Sequence, residues 1–93
     1  MLIAAMTVRL YAPWVHSLKE KRMEVKSLLA RLRNQFHCSA AEVDAQDIHQ
    51  TIVLGIACVV GNTAQADSLL DAVLKFIEKD SQAEIVRVDR EVR

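Results

Sequence analysis

Twelve basic and twelve acidic side chains cancel over 93 residues, so attraction of the whole molecule to nucleic acid or to an anionic membrane gets no support from net charge. A hydrophobic content of 52% is enough for one compact domain over residues 1–93, and the longest apolar run, near Ile52 to Val60, is about half the ~20 residues of a spanning helix. Two cysteines are too few for a disulfide framework and no stretch has the layout of a signal peptide, so a reducing cytoplasm is the expected setting.

Leu2 to Tyr11 alternates, with Leu2, Ala4, Met6, Val8 and Leu10 on one face and Ile3, Ala5, Thr7, Arg9 and Tyr11 on the other, which predicts a strand. Pro13 has no N–H to donate and ends it. Ser17, three residues before Glu20, then forms a capping box in which the hydroxyl accepts from the N–H of Glu20 and the carboxylate reaches back to that of Ser17. From Leu18 the apolar stripe Val25, Leu28, Leu29, Leu32 and Phe36 predicts a core-facing helix that fades around Asn34 to His37. Cys38 to Val43 reads as a short strand whose weak alternation suggests a bulge.

Asp44 to Gln50 is a polar connection longer than a tight hairpin needs, and only its length marks it out. Thr51 to Val60 is apolar on both faces, as a central strand requires. Asn62 caps a second helix, with Ala66, Leu69, Leu70, Val73, Phe76 and Ile77 inward and Asp71 placed to pair with Lys75. Ile85 to Val92 alternates valines with Arg87, Asp89 and Glu91, the pattern of an edge strand with one solvated face. The order βαββαβ, with right-handed crossovers, predicts an α+β ferredoxin-like fold: a four-stranded antiparallel sheet with two helices on one face.

His16-Ser17-Leu18-Lys19-Glu20-Lys21-Arg22, with Val25-Lys26, Leu29, Arg31 to Arg33, Phe36, Ser39, Ala41-Glu42, Asp47, Gln50 and Leu54-Gly55, resembles the YlxP-like family, domain of unknown function 503. The likeness covers nearly the whole chain, with His49 where the family carries an aromatic. The resemblance implies a small bacterial ferredoxin-like protein of unassigned activity, often encoded beside translation-initiation and ribosome-maturation factors.

On a helical wheel Lys19, Arg22, Lys26 and Arg33 share one flank of the apolar stripe, with Glu20 and Glu24 on the opposite flank. Such a row offers donors to phosphate oxygens, the way proteins hold a nucleic-acid backbone without reading sequence. The competing structural explanation is a solvated face that pairs with Asp67, Asp71 and Glu78 of the second helix. Other activities of this fold lack their residues. The loop Ala12 to Ser17 has no cysteine for a metal carrier, and neither glycine nor arginine for a phosphate cradle. Ile3, Ala5, Thr7, Val53, Gly55 and Ala57 on the central strands include no aromatic on which a base could stack.

His16, His37, Cys38, His49 and Cys58 have no metal-ligand spacing, and alternation sends His37 and Cys38 to opposite faces. Asp44, Asp47 and His49 lack a nucleophile, so no catalytic residues, cofactor or small-molecule substrate are assigned. Trp14 reads as a lid on the core edge. Two expectations follow: a non-enzymatic module that binds RNA or the ribosome through Lys19, Arg22, Lys26 and Arg33, or a protein-interaction module acting as a homo-oligomer. The second rests on the uncovered sheet face of Ile3, Ala5, Thr7, Val53, Gly55, Ala57 and Val59, rimmed by the charges of the last strand.

Overall fold

A computed structural model describes residues Met1–Arg93. The elements run β1 (Leu2–Tyr11), α1 (Leu18–Gln35), β2 (Ser39–Asp44), β3 (Thr51–Val60), α2 (Thr63–Asp80) and β4 (Glu84–Val92). The strands pair antiparallel in the order β2-β3-β1-β4, which puts at the centre the two segments that are apolar on both faces. This is the ferredoxin-like α+β fold that the element order predicts. Neither helix is long and apolar enough to cross a membrane.

The core lies between the sheet and the helices. Ala4, Met6, Val8 and Leu10 of β1 and Leu54, Ile56, Cys58 and Val60 of β3 meet Val25, Leu28, Leu29 and Leu32 of α1 and Ala66, Leu70, Val73 and Ile77 of α2. Phe36 and Phe76, half-buried, close one end of this layer edge to face at 5.7 Å. Asn62 caps α2 as expected, its side chain accepting from the N–H of Gln65 at 2.8 Å. At α1 the Ser17 hydroxyl accepts from the N–H of Glu20 at 3.1 Å, but the Glu20 carboxylate accepts from His16 N–H at 3.2 Å rather than from Ser17. The return bond therefore ties the helix to the loop ahead of it.

β2 starts one residue later than expected, because the Cys38 N–H donates to Phe36 O at the end of α1. Its register breaks between Glu42 and Asp44, so Val43 is the extra residue of a bulge. The second break, between Arg9 and Leu10 opposite β4, leaves Val86 bulged and half-exposed. Both edge strands are thus irregular, which blunts them against pairing with another sheet.

The bulge changes the reading of the open face. Val53 belongs to that face by alternation, yet it is only 4% exposed: Arg9 of β1 and Asp44 of β2 flank it in register. Gly55 is not open space either. A Cβ added there would lie 2.7 Å from Val43 Cγ1, so Val43 of this same chain covers the glycine. Ile3 and Val59 are exposed as expected.

The cysteines also differ from expectation. Cys38, just before β2, and Cys58 of β3 are joined as a disulfide, with a sequence separation of 20 and Cα atoms 4.7 Å apart. That distance is the one directly opposed residues of an antiparallel pair adopt, and the neighbouring pair, Ser39 opposite Ala57, sets it. No free cysteine remains.

Candidate nucleic-acid interface

Helix α1 buries a stripe that includes one charged residue. Lys21 sits one turn before Val25 and is 1% exposed. Its ammonium donates to Ala45 O at 2.5 Å and Ile48 O at 2.7 Å and stands 2.8 Å from Glu42 Oε2. Two hydrogen bonds and a counter-charge at contact distance are how this buried lysine avoids the cost of an unsatisfied charge. The Glu42 oxygen makes no directed hydrogen bond and serves as the counter-charge. Glu42 reaches Lys21 because it stands opposite Leu54, on the helix side of β2.

The clasp orders the connection between β2 and β3. Ala45 adopts a left-handed conformation, φ 55°, its N–H held by Asp44 Oδ1 at 2.8 Å while its carbonyl accepts from both Lys21 and the Ile48 N–H. Gln50 then ties the loop to the segment before α1: its side-chain amide donates to Pro13 O and Val15 O, and its main-chain carbonyl accepts from Ala12 N–H at 2.8 Å. The long polar loop is thus a fixed shelf beside the first half of α1. Asp47 and His49 on it are exposed and meet no nucleophile. No three His, Cys, Asp or Glu side chains converge as metal ligands would.

The two flanks of α1 have different surroundings. On the acidic flank Arg31 bonds to Asp80 at the end of α2, and Glu24, Trp14 and Leu28 line a cleft of about 290 Å³ between α1 and the α2–β4 connection. The other flank, toward β2, carries the four basic residues. Arg33 donates to Ala40 O and so serves partly as a strut between helix and edge strand. Lys19, Arg22 and Lys26 are exposed and take part in no ion pair. Of the α2 acids that could have quenched them, Asp71 pairs with Arg90 of β4 at 2.6 Å, not with Lys75, and Asp67 and Glu78 make no ion pair; Asp80, at the helix end, pairs with Arg31. The expected row of four cations is therefore a row of three, spanning about 10 Å at 1.5 Å per residue, with Arg33 as its internally bonded end.

Helical periodicity locates the stripe, whereas Lys21 is hidden in the same run of cations. Its signal is spacing: Leu18, Lys21, Val25 and Leu28 follow the 3-and-4 rhythm of the buried face. Trp14 is half-buried against the core edge, as expected.

A ferredoxin-like sheet without base-stacking aromatics at its centre, carrying an unpaired cationic helix flank, defines a small α+β module. The family described as "Protein of unknown function (DUF503)" matches residues 3–90. Over 71 residues, 76% of this chain and 75% of the other, it is 44% identical to "Uncharacterized protein YlxP" of Bacillus subtilis (strain 168). The chain belongs to the DUF503 family.

Proposed function

We propose that this protein is a non-enzymatic binding module that docks on the backbone of folded RNA, such as that of a ribosomal particle in the cytoplasm, through Lys19, Arg22 and Lys26. The observation that carries the reading is that these three cations lie in one exposed row with no internal partner, whereas the other cations of α1 are engaged, Lys21 in the buried clasp, Arg31 with Asp80 and Arg33 with Ala40 O. Unpaired lysine and arginine in a row gain by displacing counterions from phosphates. The sheet centre offers no aromatic platform, so contact is with backbone and independent of sequence. The gene neighbourhood that the family resemblance implies points the same way.

Crosslinking in cells tests the reading at its simplest. The expected result is RNA recovered with the protein and a crosslink mapping to α1, lost when Lys19, Arg22 and Lys26 are all changed to glutamate. A protein partner recovered with no RNA, or RNA recovery that the triple variant leaves intact, would overturn it.

A further inference from the structure

We propose that the open face of the sheet is covered by a second copy of this chain, packed face to face about a two-fold axis. The face has the relief that such packing requires. Ala5, Thr7, Ala41 and Ala57 form a low floor, part of a shallow trough of about 440 Å³ that Val43 walls on the β2 side. Ile3, Val43 and Val59 stand up around it, Val59 being 68% exposed on the central strand β3, one residue from its end. Val43 lies across Gly55, which no other residue would allow without displacing it. Raised aliphatic groups next to a floor of small ones are self-complementary: under a two-fold, the raised residues of each copy enter the floor of the other.

Charge on this face permits like to meet like. Arg9, Arg87 and Arg93 face Asp44, Glu84, Asp89 and Glu91, three against four, and two of these pairs are closed locally, Arg87 with Asp89 at 2.9 Å within β4 and Arg93, just past it, with Glu91 at 2.8 Å. Hydrogen bonding to Arg93 holds the Glu91 carboxyl below the usual carboxylate range, so the pair stays ionised near neutrality. The helix surface, with Lys19, Arg22 and Lys26 unpaired, would repel a copy of itself.

Size points to the same occupant. Four strands about 4.8 Å apart and roughly nine residues long at 3.4 Å each present about 600 Å² per copy, hence about 1,200 Å² in the pair, the lower end of a specific interface. Pairing through the edges is disfavoured by the bulges at Val43 and Val86. The inference is independent of RNA binding, because face-to-face packing leaves both α1 flanks outward.

Sedimentation equilibrium of the full chain decides it. The expected mass rises with loading through the micromolar range from 10.4 kDa toward twice that value. Val59→Glu and Ala41→Glu, tested separately on different strands, each put two carboxylates into the symmetric interface and should weaken the dimer at least ~10-fold. Lys19→Glu should leave it unchanged. Circular dichroism and the urea midpoint identify which variants are folded, and one folded variant is enough to decide. Val53→Glu is unsuitable, since Val53 is buried in the monomer. A monomer at every concentration, a dimer equally tight in the folded variants, or one weakened by Lys19→Glu would overturn the proposal.

Discussion

Lys21→Ala is expected to lower the unfolding free energy by about 3–5 kcal/mol in urea denaturation, because it strands the Glu42 carboxylate beneath α1 without its cation. For a domain whose whole stability is of order 5–15 kcal/mol, that approaches the limit of folding. The loop would also lose the ammonium that holds the Ala45 and Ile48 carbonyls, so amide hydrogen exchange across 45–50 should quicken more than in the sheet. Lys21→Met combined with Glu42→Gln should be more stable than Lys21→Met alone by about 1–3 kcal/mol, since the stranded charge is gone. A loss below about 1 kcal/mol in Lys21→Ala would show that the buried ammonium is not what ties the loop to the helix.

The second large effect belongs to the cysteines. Cross-linking residues 20 apart restricts the unfolded chain by about 3 kcal/mol in the loop-entropy account. The oxidised protein should therefore unfold at higher urea than the same protein in excess reductant, by an amount corresponding to about 3 kcal/mol. A Cys38→Ala, Cys58→Ala variant should unfold at one midpoint with or without reductant. A wild-type midpoint indifferent to reductant would contradict the clasp between β2 and β3.

These two features are also the ones that sequence reading did not reach. Local signals found the frame well. Alternation on both faces of Thr51–Val60 marked a central strand, Ser17 and Asn62 marked helix starts, and the weak alternation after Cys38 marked the bulge now placed at Val43. What failed needed register between strands. Cys38 meets Cys58 only because Ser39 pairs with Ala57, and a slip of one residue would send every side chain of β2 to the other face. Val53 likewise keeps its predicted face but loses its exposure, because the bulge brings Asp44 alongside it. Gly55 belongs to the same face by alternation, yet the space above it is taken by Val43. The basic stripe was legible from periodicity. That Arg33 bonds to Ala40, and that α2 supplies no acid to Lys19, Arg22 or Lys26, depends on which flank of α1 meets α2, and wheel geometry does not give that.

The row of three cations makes a quantitative demand on binding. If each displaces about one counterion from a phosphate, log affinity should fall with log salt at a slope of about −2 to −3, which amounts to about 16–64-fold weaker binding from ~50 to ~200 mM salt. The most direct measurement is fluorescence anisotropy of a labelled, structured ribosomal RNA fragment titrated with this protein across that range, beside the Lys19→Glu, Arg22→Glu, Lys26→Glu variant. The account predicts the steep slope for the wild type and a weak, nearly flat one for the variant, with folding unchanged by circular dichroism. A wild-type slope near zero, or equal slopes and affinities for the two proteins, would contradict it.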